Sequence, residues 1–161
     1  MSGSELKTSD VTQAERDALR EAIRRALDAH RVSGRTGIVA AILREDAVVV
    51  TAENQVDQET DPTRHAEMVA LSQATAQLGR KDLSDCTLVS TLQPCEMCLA
   101  AMRFAGIQRV IFAATQDKVA GKYFVFPRLG IEDFKAAGDR FSTVGGVMEP
   151  DVLHLYAEGS E

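Results

Sequence analysis

The sequence is poor in aromatic residues and cysteine, and it has no long apolar segment. Aromatic residues make up 5% of the 161 positions and tryptophan is absent, but hydrophobic residues make up 45% and charged residues 26%, so a folded globular domain is expected. No apolar run approaches the ~18 residues that a membrane-spanning helix requires. The polar start of the chain, residues 1–5, lacks the apolar stretch of a secretory signal, and we expect neither secretion nor a membrane partner.

Positive charge is also in deficit, because 18 Lys and Arg stand against 24 Asp and Glu, which gives a net charge of −6. Strong sequence-independent binding of nucleic acid needs basic side chains that neutralise phosphates, so a polynucleotide is not the expected partner. Three cysteines without a signal segment argue against a disulfide framework and favour the cytoplasm. The length suits one domain, and we predict a flexible tail over 1–9 and a single domain over 10–161.

Hydrophobic spacing divides the chain into alternating helices and short strands. The pattern predicts helices over 11–33, 61–78, 95–104, 131–137 and 152–157, and strands over 38–43, 47–51, 86–92, 109–113 and 141–148. Asp61-Pro62-Thr63 is interpreted as the start of the second helix, because a capping side chain precedes a proline. This order predicts an α/β fold with helices on both faces of a sheet whose first two strands are antiparallel and whose later strands are parallel.

Two short segments carry the candidates for chemistry, His65-Ala66-Glu67 and Pro94-Cys95-Glu96-Met97-Cys98. Each lies near a predicted helix start, and successive helix starts meet at one edge of such a sheet. Cys95 and Cys98, three residues apart, share one face of a helix and can bind one ion. With His65 as the third ligand, one imidazole and two thiolates suit Zn²⁺, and the remaining tetrahedral position is left for water, as in catalytic sites.

Glu67 is the candidate general acid and base, since a carboxylate beside the metal can accept a proton from water and donate it later. Positions 65 and 67 point roughly 200° apart on a regular helix, so we predict that the metal lies close to the helix end. Two alternatives remain open at this point. A purely structural zinc would need a fourth ligand, for which Cys86 and His154 are the spare candidates. Cys95 and Cys98 alone would also suit a redox pair.

The spacing H-x-E…P-C-x-x-C is the signature of zinc deaminases that act on nucleobases. The sequence resembles the branch of the cytidine deaminase-like superfamily that holds bacterial guanine deaminases and tRNA adenosine deaminases. The similarity covers roughly residues 15–115 and is carried by Asn54 and by residues 61–67, 91–98, 105–107 and 109–113. It implies a three-layer α/β/α sandwich around a central five-stranded mixed sheet, one zinc ion per chain and a homodimer. It also implies that Asn54 hydrogen-bonds the substrate base, and that backbone amides near Ala66 and Cys95 hold the base or the reacting oxygen.

The substrate is less clearly indicated than the chemistry. Guanine deaminases have acidic residues after an Ala-Gly pair, whereas Lys122 and aromatic residues follow Ala120-Gly121 here, and the C-terminal part lacks the basic, aromatic helix of tRNA deaminases. Tyr123 and Phe124 are candidates for stacking on a base, with a place in the core or a dimer interface as the alternative. We predict zinc-dependent hydrolytic deamination of a small nucleobase or related heterocycle, guanine first, with release of ammonia. The alternatives are a tRNA-specific adenosine deaminase, a cytosine or nucleoside deaminase, and a catalytically silent binding subunit.

Overall fold

Five strands form one mixed sheet in the computed structural model, which describes residues 5–138 and 140–157. The strands are β1 (Val39–Arg44), β2 (Ala47–Glu53), β3 (Cys86–Leu92), β4 (Arg109–Ala114) and β5 (Ser142–Val144), in the spatial order β2-β1-β3-β4-β5. β1 is antiparallel to both β2 and β3, whereas β3, β4 and β5 are parallel to one another. This is the predicted mixture of directions.

Helices cover both faces of the sheet. They are α1 (Gln13–Ser33), α2 (Val56–Glu59), α3 (Ala66–Leu78), α4 (Glu96–Phe104) and α5 (Ile131–Ala137). The buried side of α1 packs on one face together with the C-terminal segment around Tyr156, and α3, α4 and part of α5 pack on the other face. The predicted three-layer α/β/α sandwich with a five-stranded mixed sheet is therefore confirmed.

The first helix begins at Gln13, two residues after its predicted start, and ends at Ser33 as predicted. The Thr12 hydroxyl accepts the Glu15 backbone N–H, and the Glu15 carboxylate accepts the Thr12 N–H in return, which satisfies two otherwise unpaired amides. Gly34 ends the helix in the left-handed conformation, with φ 70°, a region that glycine adopts without strain.

The predicted helix start at Asp61-Pro62-Thr63 is wrong. The Asp61 carboxylate accepts the backbone N–H of Thr63 at 2.8 Å and its hydroxyl at 2.7 Å, so this side chain closes a local turn. The helix begins at Ala66, and His65 is its N-cap residue.

The two ends of the chain also differ from expectation. The predicted final helix consists of two short 3₁₀ turns, Glu149–Asp151 and Leu153–Leu155, and the last predicted strand is limited to β5. Residues 1–4 of the predicted tail lie outside the described residues, while Thr8–Asp10 form a 3₁₀ turn and Leu6 packs against the core. The division into tail and domain stays a prediction. Within the described ranges, no helix is both long enough and apolar enough to cross a membrane.

The strand directions explain how distant segments meet. Because β2 and β3 are both antiparallel to β1, they run the same way, and their last residues lie at one edge of the sheet. In the register of the sheet, Val39 at the start of β1 pairs with Glu53 near the end of β2, and Ala40 pairs with Ser90 in β3. The chain segments that leave β2 and β3 at this edge lead to α3 and α4, whose N-termini carry the predicted metal ligands.

Candidate active site

His65 and Cys95 occupy equivalent positions at the starts of two helices. Each is an N-cap residue with an extended backbone, at φ −61° and ψ 155° for His65 and φ −72° and ψ 173° for Cys95. Cys98 follows in the first turn of α4. Because His65 precedes the helix, the 200° separation between positions 65 and 67 does not apply, and both side chains can serve one site at the helix end, as the sequence predicts.

The three candidate ligand atoms form a nearly equilateral triangle. Sγ of Cys95 lies 3.5 Å from Nδ1 of His65 and 3.7 Å from Sγ of Cys98, and Sγ of Cys98 lies 3.6 Å from the same nitrogen. Tetrahedral zinc with bonds of about 2.3 Å to sulfur and 2.0 Å to nitrogen places two sulfurs roughly 3.8 Å apart, and sulfur and nitrogen roughly 3.5 Å apart. The donor set and its spacing therefore fit zinc.

Within the described ranges, the metal-ligand cluster contains His65, Cys95 and Cys98 and no fourth protein donor. Cys86 lies at the opposite end of β3 from Leu92, where its thiol contacts Asp85 at 3.5 Å. His154 belongs to the 3₁₀ turn Leu153–Leu155 and is outside the cluster. An open position for water distinguishes catalytic from structural zinc sites, and this arrangement leaves one.

The hydrogen bond between the Cys95 and Cys98 thiols shifts the pKa values of both. The hydrogen bond from Cys98 lowers the pKa of Cys95 to about 4, and His65 acts in the same direction. The same hydrogen bond, together with burial, raises the pKa of Cys98, while the bond to Cys95 raises the pKa of His65. A zinc ion bound by these residues would require both thiols in the thiolate form.

Glu67 lies beside this cluster. Its side chain is buried, with Oε1 accepting a 2.9 Å hydrogen bond from the Ser90 hydroxyl and Oε2 lying 3.5 Å from Sγ of Cys98. Burial raises the pKa of Glu67, which favours its protonated form. Ser90 was not singled out from the sequence, although a serine among the residues of a mostly buried strand is the signal that could have found it.

A cleft of about 840 Å³ leads to these groups. Its lining includes His65, Glu67 and Cys95 at the base and Asn54 and Tyr123 on the walls. Among the described residues, the Asn54 side chain makes one hydrogen bond, in which Oδ1 accepts the Val56 N–H at 2.9 Å. Its amide nitrogen is therefore the part that can bind a ligand.

The other two predicted substrate-binding residues lie closer to the protein interior. Phe124 is 5% exposed, packs with Cys95 and Cys98, and is not among the residues that line the cleft. Ala66 is fully buried as the first residue of α3, where a backbone N–H has no partner inside the helix. Direct contact of these residues with a substrate stays a prediction.

Tyr156 is a supporting residue that the sequence did not reveal. Its buried hydroxyl donates to the carbonyl oxygen of Gly37 at 2.6 Å and lies 2.8 Å from Oγ1 of Thr91. Its ring meets the Tyr123 ring edge-on, with 5.7 Å between centroids. Gly37 and Tyr123 both line the cleft. Tyr156 in the C-terminal segment therefore supports two of the residues that form the cleft.

Comparisons with known proteins agree with this geometry. Residues 12–114 match the family model described as the cytidine and deoxycytidylate deaminase zinc-binding region, and the chain belongs to this family. It is therefore a member of a zinc-binding deaminase family, which supports a hydrolytic deaminase with a zinc cofactor.

Three relatives illustrate the range of substrates. The chain is 40% identical over 109 residues to the tRNA-specific adenosine deaminase of Aquifex aeolicus, covering 68% of this chain and 69% of that protein. It is 37% identical over 81 residues to the guanine deaminase of Bacillus subtilis, covering 50% and 52% respectively. It is 36% identical over 160 residues to a probable cytosine deaminase of Schizosaccharomyces pombe, covering 95% and 93%.

A solved structure from a study of A-to-I editing by tRNA:A34 deaminases superimposes with a TM-score of 0.73 at 25% identity, covering 86% of this chain and 98% of that one. The family and the fold are thus established, whereas these relatives differ in the base on which they act.

Proposed function

We propose that the protein is a zinc-dependent deaminase that replaces an exocyclic amino group of a small nucleobase or related heterocycle with oxygen and releases ammonia. The observation that carries this proposal is the triangle of His65, Cys95 and Cys98 with the buried Glu67 carboxylate beside it, at the base of a cleft. A redox pair would need neither the imidazole nor the carboxylate. A silent binding subunit would not need a buried carboxylate beside the metal site.

In this proposal, bound zinc would act as a Lewis acid that makes a water molecule nucleophilic at neutral pH. Glu67 takes a first proton from the water that attacks the amino-bearing carbon and delivers it to the neighbouring ring nitrogen. It then takes the remaining hydroxyl proton and delivers it to the amine, which leaves as ammonia while the carbonyl forms. Ser90 holds one carboxylate oxygen in place, so that the other is available for proton transfer.

For the substrate, we place guanine or a similar free base first. The Asn54 amide nitrogen can donate to a ring carbonyl or ring nitrogen, and Tyr123 offers a flat wall for a ring. A guanine deaminase is among the relatives. The second candidate is a tRNA adenosine deaminase, which the Aquifex relative favours and the net charge of −6 disfavours.

We further propose a homodimer located in the cytoplasm. Phe104, the last residue of α4, is 95% exposed and stands beside a groove formed with Met68, Leu71 and Ala101. A protruding ring next to an apolar groove fits a two-fold contact in which each ring fills the partner's groove. The three cysteines are free thiols, which is in keeping with a reducing compartment.

The test combines metal analysis with ammonia release. Wild-type protein and Glu67→Gln should both hold about one zinc per chain, and only the wild type should deaminate a substrate. The panel contains guanine, adenine, cytosine, their nucleosides, related triazines and pterins, and a tRNA anticodon stem. Turnover that persists in Glu67→Gln would remove this residue from the mechanism, and a zinc-loaded wild type that is inactive on every substrate would contradict the proposed function.

A further inference from the structure

One wall of the cleft is a short segment, residues 120–126, which we call the cleft loop. Lys122, Tyr123 and Val125 of this loop line the cleft. Phe124, between them, is buried against the two candidate thiol ligands. The position of the loop therefore determines how much room a substrate has above the metal site.

The two halves of the cleft loop are held by different means. At its start, the Ala120 N–H donates to the Tyr156 carbonyl oxygen at 2.9 Å, and Tyr123 packs on the Tyr156 ring. Toward its end, Val125 and Phe126 are 79% and 59% exposed, so packing contributes little there.

The end of the loop is instead attached to one carboxylate oxygen. Oε1 of Glu96 accepts the backbone N–H of Val125 at 2.9 Å and that of Phe126 at 3.0 Å. Hydrogen bonds to a charged acceptor are stronger than those between neutral groups. Glu96 is therefore the main attachment of the exposed half of the loop.

Glu96 also occupies a special place in the site, because it lies in the first turn of α4 between Cys95 and Cys98. The cleft loop is thus fastened to the same helical turn that presents both sulfur ligands. Oε2 of Glu96 is buried and has no hydrogen-bond partner among the described residues. A buried carboxylate oxygen without a partner costs stability, so the gain from this side chain lies in the attachment of the loop rather than in stability alone.

We propose that Glu96 is a positioning residue that sets the distance between the cleft loop and the metal-ligand turn, and thereby selects substrates by size. This inference rests on the proposed function for its selectivity, but the attachment of the loop can be tested without it. A loop displaced by about 1 Å changes the productive pose of a bound base, and displacements of this size reduce rates by up to about 10²-fold.

The first experiment measures hydrogen exchange of the Val125 and Phe126 amides in zinc-loaded protein. Glu96→Ala removes the acceptor, and Glu96→Asp withdraws it by one methylene with little risk to folding. In both variants the Val125 and Phe126 amides should exchange at least tenfold faster than in the wild type, while the zinc content stays unchanged. Glu96→Gln keeps a carbonyl oxygen at the same reach but loses its charge, so exchange at these amides should be slower than in Glu96→Asp and faster than in the wild type.

The second experiment uses the best substrate from the deamination panel. Glu96→Asp should raise KM about tenfold with a smaller change in kcat. It should also lower the ratio of kcat/KM for a free base to kcat/KM for its nucleoside. Glu96→Gln, which keeps the acceptor oxygen without its charge, should fall between Glu96→Asp and the wild type. Glu132→Ala is the matched control, since Glu132 is another first-turn glutamate but its side chain is 75% exposed and pairs with Lys135 at 3.5 Å.

Unchanged amide exchange in Glu96→Asp and Glu96→Ala would overturn the proposal, as would an unchanged base-to-nucleoside preference despite faster exchange. Equal loss of selectivity in the Glu132→Ala control would overturn it as well. A wild-type protein that deaminates nothing on the panel would refute the proposed function and the selectivity role together, whereas the exchange result would still decide whether Glu96 attaches the loop.

Discussion

Replacing Tyr156 with phenylalanine isolates the contribution of one buried hydroxyl. The side chain is fully buried, and its oxygen contacts the Gly37 carbonyl at 2.6 Å and the Thr91 hydroxyl at 2.8 Å. Tyr156→Phe keeps the ring and its packing but leaves the Gly37 carbonyl without this donor. An unsatisfied buried polar group costs about 1–3 kcal/mol, so we expect a loss of about 2 kcal/mol in the free energy of unfolding. For a chain of this size, that corresponds to a fall in Tm of roughly 4–8 °C.

Urea denaturation followed by circular dichroism, with a thermal scan in parallel, measures this loss. Tyr123→Phe is the matched control, because its hydroxyl makes a longer contact of 3.3 Å with Thr36 at a partly exposed position. We expect that variant to lose less than about 1 kcal/mol. A Tyr156→Phe protein within about 0.5 kcal/mol of the wild type, or no less stable than Tyr123→Phe, would refute the reasoning.

Three further predictions follow from single contacts. Burial raises the pKa of Glu15, but hydrogen bonds from Arg109 and Thr12 outweigh it and leave the pKa lowered. The stability that Glu15 contributes should therefore be present above pH 5 and be lost as the pH falls below about 4, and Glu15→Gln should flatten this part of the profile of unfolding free energy against pH. Gly37→Ala should destabilise the protein by more than about 2 kcal/mol in urea denaturation, because a Cβ there would overlap the Ala26 carbonyl group, whereas Gly121→Ala, whose Cβ meets no atom of the surrounding structure within 4 Å, should change little. Cys86→Ala should keep about one zinc per chain by metal analysis, and loss of zinc would place this thiol in the metal site.

Elements with strong local signals could be predicted from the sequence almost to the residue. β3 and α5 have the predicted limits, and α1 and α3 end at Gly34 and Gly79, both in the left-handed conformation. The wrong start of α3 has a local cause as well. An aspartate before Pro-Thr can cap a helix or close a turn, and the sequence does not distinguish these two uses of the same hydrogen bonds.

The candidate site divides in the same way. His65, Glu67 and the cysteine pair belong to two short motifs, so their residue types and spacing indicate the chemistry directly. Ser90, Glu96 and Tyr156 act through partners that are distant along the chain; Tyr156 and Gly37, for example, are 119 positions apart. No periodicity or spacing encodes such contacts, because they depend on how the layers pack.

The extended N-cap positions of His65 and Cys95 have an electrostatic consequence. Neither residue makes a side-chain cap hydrogen bond, and the positive ends of two helices, α3 and α4, begin at these two metal-ligand residues. In a protein with a net charge of −6, these helix ends offset part of the negative charge that Glu67, Glu96 and the thiols bring to the site. Main-chain groups supply this contribution, so the replacement of one side chain leaves it in place.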